Sequence, residues 1–310
     1  MSQSFLYKID PKHNELASGR EAVLRTLAYF DIFHYPLTCD EIREFSGKKI
    51  KENVFLEALR LLLEERRIFF FENVYTLHEN PLLQHRRNQG NLRAERLLVK
   101  AKRTGRFLYQ FPFVTAIGIS GSLSKNYADE KADFDFFIIA RADRLWICRT
   151  IMHLFKKFTY LAGRQHHYCM NYYLDEKSLL LPDQNFFTAI ELKTLIPVAG
   201  AEAMKHFFEA NAWSGEFLPA CRFRKNDSPE KDHSLLKRFV EKLTGSYRLN
   251  HFLFRLTSKR WQAKEARGLK NRKGIPMGLI SSLHYAKADP GGFQQKILEM
   301  HEEKISQVLR

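Results

Sequence analysis

The sequence lacks a run of about 18 apolar residues, the length a membrane-spanning helix needs, and no membrane partner is expected from it. Its opening stretch, residues 1 to 14, is polar and has none of the apolar core of a secretory signal. Cysteine is scarce. The four present, Cys39, Cys148, Cys169 and Cys221, stand far apart with no C-x-x-C pair. That argues against a zinc ribbon or a disulfide framework and suits a reducing cytoplasm, the expected location. His166 and His167 are neighbours, so on a strand they point to opposite faces and make a poor pair for one ion. Internal repeats and low-complexity tracts are absent as well. Acids are outnumbered: 35 Asp and Glu face 50 Lys and Arg, for a formal net charge of +15. Such an excess favours polyanionic partners, nucleic acid or nucleotides among them, and says nothing about fold.

The chain is 310 residues long, enough for two or three domains. Residues 20 to 34 carry Val23, Leu24, Leu27, Ala28, Phe30 and Phe33 at helical spacing. Thr38 and Glu41 form a capping box for a short second helix, with Ile42 and Phe45 on its apolar face and Gly47 at its end. A third helix is expected over residues 51 to 66, with Phe55, Leu59, Leu62 and Leu63 inward. Two short strands, 68 to 71 and 74 to 77, follow about a tight turn at Glu72-Asn73. Three helices and a hairpin resemble a winged helix-turn-helix over residues 18 to 79. Lys48, Lys49, Lys51, Arg60, Arg66 and Arg67 are interleaved with Glu52, Glu57, Glu64 and Glu65. Mixed charge of that kind suits protein docking better than DNA reading.

Residues 80 to 111 form a basic connector. A long helix over 81 to 110 sets Arg86, Arg87, Arg93, Arg96, Lys100, Lys102, Arg103 and Arg106 against the single acid Glu95. Leu92, Leu97, Leu98 and Phe107 can seat one side, and Gly90 and Gly105 mark expected breaks. The basic residues are either a solvated face or a phosphate-tracking surface. Residues 112 to 200 alternate strand and helix. Strands are expected at 114 to 120, 132 to 140 and 167 to 174. The helix at 143 to 161 carries Ile147, Ile151, Leu154 and Phe158 on one stripe with Trp146 beside it. From about residue 185 onward the chain reads mostly helical, and residues 201 to 310 form a helical basic region with a polar break at 227 to 231 and a second basic stretch from Lys259 to Lys273. The aromatic segments 69 to 71 and 252 to 254 are expected in the core rather than as stacking platforms, and Trp146 and Trp261 as packing anchors.

Chemistry is concentrated in Ile117-Gly118-Ile119-Ser120-Gly121-Ser122, a ten-residue spacer, and Asp133-Phe134-Asp135-Phe136-Phe137-Ile138-Ile139. Side chains alternate along a strand, so Asp133 and Asp135 share one face and Phe134 and Phe136 fill the other. Two adjacent carboxylates repel unless a cation neutralises them. Mg²⁺ (or Mn²⁺) is the natural choice, because it takes carboxylate oxygens together with substrate phosphates. Gly121 permits a tight turn, the Ser122 hydroxyl and nearby N–H groups can hold a phosphate, and Lys125 can reach the same phosphates. Asp129 and Glu130, within the spacer, read as solvated loop residues.

A Gly-Ser turn, a spacer near ten residues and Asp-x-Asp in an apolar strand resemble the signature of the DNA polymerase β-like nucleotidyltransferases, over residues 114 to 175. The strand Asn171-Tyr172-Tyr173-Leu174 and the segment from Asn185 to Leu192 are also similar to a group of bacterial nucleotidyltransferase-domain proteins. The resemblance implies an α+β fold: a mixed-sheet core flanked by the winged helix-turn-helix and the helical C-terminal region. It implies metal binding by Asp133 and Asp135, and nucleotide binding by Gly121, Ser122, Lys125 and Asn171. The family also carries a third carboxylate, ligand and general base, on the strand after the helix. Here the central position is Asn171, whose amide cannot accept a proton at neutral pH. Asp175 shares its face by alternation and is the expected third catalytic carboxylate, with Glu191 a more distant option. The implied activity is metal-dependent transfer of a nucleotidyl group from a nucleoside triphosphate to a hydroxyl of RNA, a protein or a small molecule. The alternative is a nucleotide-sensing regulator that binds DNA or a partner protein through the winged helix.

Overall fold

The computed structural model of this chain describes residues 11–130, 132–161, 168–225, 235–270 and 274–310. His166, His167, the polar break at 227 to 231, Arg272 and Lys273 lie outside them. In chain order the elements are α1 (Pro11–Asp31), α2 (Cys39–Glu44), α3 (Glu52–Glu64), β1 (Phe69–Phe71), β2 (Val74–Thr76), α4 (Leu82–Leu108), β3 (Val114–Ile119), α5 (Gly121–Ser124), β4 (Asp135–Ala140), α6 (Leu145–Leu161), β5 (Cys169–Asp175), α7 (Phe186–Thr194), β6 (Ile196–Ala199), α8 (Ala201–Ala210), α9 (Ser214–Phe217), α10 (Leu235–Thr244), α11 (Tyr247–Ala266), β7 (Leu279–Ser281), β8 (Tyr285–Ala288) and α12 (Phe293–Val308). The class is α+β with a mixed sheet. Among the described residues no helix is long and apolar enough to cross a membrane.

Two compact units divide the chain. One holds the residues up to Asn88 with Gly215–Cys221 and Ile297–Arg310; the other holds Gln89–Ser214 and Arg222–Lys296. In the first, the capping box forms as expected: Thr38 N donates to Glu41 Oε2 at 2.8 Å and Glu41 N to Thr38 Oγ1 at 3.3 Å. β1 and β2 pair antiparallel about Glu72-Asn73, with Glu72 at φ 54°. Leu37 bridges Tyr75 on the outer edge of β2. Arg87 is buried rather than solvated. Its guanidinium donates to both oxygens of Glu41, at 2.6 and 2.9 Å, and lies 4.6 Å above the Tyr35 ring. Arg86 donates to the carbonyls of Phe33 and His34. These two bases therefore hold the first unit together and leave the expected phosphate-tracking face to residues further along α4.

The second unit is built on a six-stranded sheet in the order β6-β3-β4-β5-β8-β7. Only β4 and β5 run parallel; the other neighbours are antiparallel. The strands β6, β7 and β8 lie in segments expected to be helical, so the 201 to 310 region contributes β7 and β8 to the sheet. One face of the sheet buries Ile117, Ile119, Phe134, Phe136 and Ile138 with residues of α4, α6 and α11. The other buries Ala116, Phe137 and Ile139 beneath Leu192, Met204 and Phe207.

α4 is unbroken through Gly90 and Gly105, because both glycines are points of close approach. A Cβ on Gly90 would meet Tyr127 Cε2 at 2.2 Å, and one on Gly105 would meet Val198 Cγ1 at 3.0 Å. The buried stripe of this helix is accordingly small: Ala94 and Ala101, then Leu108, with Leu97 and Leu98 partly covered. Leu92 is exposed, contrary to the apolar side expected of it, whereas Phe107 is half exposed and packs against Phe111 and Phe155. On α6, Trp146 and Ile147 are buried as expected, whereas Leu154 and Phe158 are exposed. Asn250 of α11 caps α6, its Oδ1 accepting from Trp146 N at 2.9 Å. Phe70 and Phe252 are also exposed rather than core.

Candidate functional site

The end of β3 and the starts of β4 and β5 meet on one edge of the central sheet. Antiparallel pairing sets Ile119 opposite Phe136, and Ser120 N donates to Asp135 O at 2.9 Å. The chain then turns at Gly121 with φ 69°. A Cβ at Gly121 would lie 2.4 Å from Asp135 Oδ2, so the carboxylate rests against a bare Cα. Its other oxygen accepts from Asn171 Nδ2 at 2.6 Å. The Cys169 thiol donates to Asn171 Oδ1 at 3.3 Å, which orients the amide with its NH₂ toward Asp135.

Asn171 reaches Asp135 through a bulge. The β4–β5 register passes from Phe136↔Met170 to Phe137↔Tyr172, and Asn171 is the extra residue. Alternation is thereby displaced by one. Asn171 and Tyr172 both line the cleft, Tyr173 joins the core of the opposite face, and Leu174 returns to the cleft side. Asp175 follows the displaced pattern away from Asn171 and pairs with Ala140 at the far end of β4. The carboxylate expected there as the third catalytic group is thus on the wrong face and at the wrong end.

Asp175 is fully buried in a network of its own. Asp143 N, Lys177 N and His284 Nδ1 each lie 3.0 Å from its oxygens. Burial pushes its pKa up against the pull of His284. Among the described residues, Asp143, Asp175 and His284 form the one trio of ligating side chains whose atoms lie within 4.8 Å of one another. Lys177 Nζ, 2.5 Å from Asp143 Oδ2, already supplies positive charge there. The trio therefore ties β5 to β8 and to the start of α6 as a closed polar network.

The cleft beside Asp135 encloses about 280 Å³ and is lined by Ser120, Gly121, Asn171, Tyr172 and Glu191 at one end. Phe137, Phe187 and Phe207 supply an apolar wall, and Lys287, paired with Asp183 at 3.1 Å, stands at the other end. Glu191, from α7, receives Lys125 Nζ at 2.6 Å, and the same ammonium donates to Gly121 O at 3.2 Å. Lys125 thus clamps the Gly121 turn to α7. Ser122 is exposed and is not part of the cleft lining. Asp133 precedes β4 and is half-buried. Burial, then the negative charges of Asp133 and Glu191, push the Asp135 carboxyl from 3.8 up to about 7, against the pull of Lys125 and of its hydrogen bonding with Cys169.

The structure thus brings Gly121, Asp133, Asp135 and Asn171 together with Glu191, the more distant option for the third carboxylate, commits Lys125 to Glu191 and leaves Asp175 elsewhere. Glu191 was legible only as a carboxylate on the helix after β5. Lys287 and Asp183 carried no local signal, because β8 reads as part of a helical tail. No family model, curated protein or solved structure matches the chain, so any function must be argued from this geometry.

Proposed function

We propose that this chain is a nucleotidyltransferase, which binds a nucleoside triphosphate in the Asp135 cleft and transfers its nucleotidyl group to a hydroxyl acceptor, breaking the α–β phosphoanhydride bond and releasing pyrophosphate. One observation carries the reading. Asp135 lines the cleft as a partly buried carboxyl beside a second acid, and burial and that neighbour raise its pKa at a cost that an asparagine would not incur. Groups kept at such a cost cluster at sites of binding and chemistry.

The residues fit a small hard cation, which commonly takes one or two carboxylates together with substrate phosphates. Asp133 and Asp135 would hold Mg²⁺ (or Mn²⁺), and the bound ion supplies charge neutralisation at the phosphates and activation of the attacking hydroxyl. Asn171 fixes one oxygen of Asp135, and the bare Gly121 lets the turn approach the ligand. Tyr172 and Phe187 offer the base an aromatic wall. With Asn171 unable to take a proton, Asp135 and Glu191 are the carboxylates left at this end of the cleft to accept one from the acceptor hydroxyl. Exposed Arg96, Lys100, Lys102 and Arg103 on α4 favour a polyanionic acceptor such as RNA.

The test is thermal unfolding with each ribonucleoside triphosphate, with and without Mg²⁺. Ligand at about 100 times its dissociation constant should add about 2.7 kcal/mol, a few degrees in melting temperature. The shift should require Mg²⁺ and vanish in Asp133→Ala/Asp135→Ala. No shift with any triphosphate sinks the proposal. A companion variant, Asn171→Asp, restores a carboxylate beside Asp135. It should lower the stability of the metal-free protein at pH 8 and tighten Mg²⁺ binding by roughly tenfold. Unchanged Mg²⁺ affinity would remove Asn171 from the metal's surroundings.

Asn171 standing where the β5 carboxylate is expected, with Glu191 already paired to Lys125, favours a second reading, a nucleotide-sensing regulator with little turnover. Its partner-binding part would be the first unit, where three helices, a hairpin and the Leu37–Tyr75 bridge suit a winged helix. On and around α3, Arg60 pairs with Glu57 and Glu64, Lys51 with Glu15, and Arg66 with Glu79. Bases neutralised in this way suit protein docking better than DNA. Salt titration separates the two: phosphate contacts weaken steeply with added salt, and protein docking need not.

A further inference from the structure

α10 is mounted inside out. Its polar side faces the protein: Lys237 is buried and donates to Tyr109 O at 3.1 Å and Val114 O at 2.7 Å. Glu241, one turn on, accepts from Phe113 N at 2.7 Å and from Arg141 at 3.0 Å. Its apolar side faces outward. Leu235, Leu236, Phe239 and Leu243 are between 61 and 81 % exposed. A surface helix normally does the reverse, because exposing leucine and phenylalanine forgoes the main driving force for packing. The apolar character continues on the outer side of α11 with Tyr247 and Phe252, both at least half exposed.

The charges beside these residues all have one sign. Arg238 and Lys242 flank the apolar stripe of α10 at helical spacing, and Arg248, Arg255 and Lys259 are exposed along α11. Between Leu235 and Lys264 the sole acid is Glu241, which is turned inward. Leucine neither stacks on a base nor donates to a phosphate, so nucleic acid would use the bases of this face and waste its apolar half. A bilayer with anionic headgroups uses both: the apolar side chains enter the headgroup–acyl boundary and the bases meet the negative surface.

We propose that the α10–α11 face docks on the surface of an anionic phospholipid bilayer. Lying on a bilayer needs no spanning helix, and the apolar positions are interleaved with bases, so no apolar run announces them. The inference departs from the expectation of no membrane partner, which rested on the lack of such a run. It is independent of the nucleotide reading.

The experiment is flotation of the full chain with vesicles of phosphatidylcholine alone and of phosphatidylcholine mixed with phosphatidylglycerol. Binding to the mixed vesicles should exceed that to neutral ones by about tenfold or more and fall as salt is raised. Phe239→Glu/Leu243→Glu should abolish it with an unchanged melting temperature, since neither side chain is packed. Arg238→Gln/Lys242→Gln/Arg255→Gln should weaken it selectively on the anionic vesicles. No binding by wild type, or equal binding by the Glu variant, overturns the proposal. So does self-association that the Glu variant removes in a chain that ignores vesicles, which would assign the face to a second copy.

Discussion

Asp135→Asn is expected to stabilise the metal-free protein by on the order of 4 kcal/mol at pH 8 and by almost nothing at pH 4. The sign follows from where the proton resides. In the unfolded chain this carboxyl ionises near 3.8, and in the fold it does so at about 7. Between those values the folded protein retains a proton that the unfolded chain has released. The stability associated with Asp135 is therefore complete below about pH 4, declines as pH rises, and is fully lost above about pH 7. Asparagine does not titrate, keeps an oxygen for Asn171 Nδ2, and escapes that decline. Urea denaturation in chelator at pH 4, 6 and 8 measures it. Wild-type and variant curves that run parallel across this range would mean that Asp135 is not desolvated. The same variant should lose its Mg²⁺-dependent response to triphosphate. Greater stability together with lost binding is the pattern of a residue retained for function.

Gly121→Ala should cost roughly 2–4 kcal/mol and remove the triphosphate response. Two costs combine. The φ of 69° is left-handed, which penalises any Cβ by about 1–2 kcal/mol. The new methyl would also sit 2.4 Å from Asp135 Oδ2. That carboxylate cannot simply swing aside, because its other oxygen is held by Asn171 at 2.6 Å. Either the Gly121 turn shifts or the Asn171 contact breaks, and both alter the cleft. Gly215→Ala serves as the control, since a Cβ there meets nothing within 4 Å. Denaturation of both variants, followed by the triphosphate thermal assay, gives the comparison. A Gly121→Ala protein as stable as wild type would show that the turn and the carboxylate are not in contact.

What could be read from the sequence was local. The Thr38–Glu41 box depends on residues three apart, and it forms. Asp135 in an apolar strand and Gly121 at a turn depend on short patterns, and the two meet. Features that depend on distant partners could not be read. β6 and β8 are four residues each and become strands through pairing with β3 and β5. Gly90 and Gly105 read as breaks because their neighbours, Tyr127 and Val198, come from elsewhere in the chain. Leu154 and Phe158 continue a helical stripe beyond the point where the core stops covering it. Asp175 lies away from the cleft because the bulge at Asn171, which arises only from the register against β4, displaces the alternation by one.

That bulge has a consequence for how β5 can vary. The strand has odd parity: the residues before and after Asn171 follow opposite counts, and it is the extra residue that reaches Asp135. Loss of Asn171 alone would restore simple alternation, with Met170 and Tyr172 still opposite Phe136 and Phe137 and with Tyr173 and Leu174 on their present faces. Asp175 would keep its contacts with His284 and the α6 start, whereas Asp135 would lose the amide of Asn171. In β5 the extra residue is therefore dispensable to the sheet and needed by the cleft, and its deletion should spare the fold while removing the contact with Asp135.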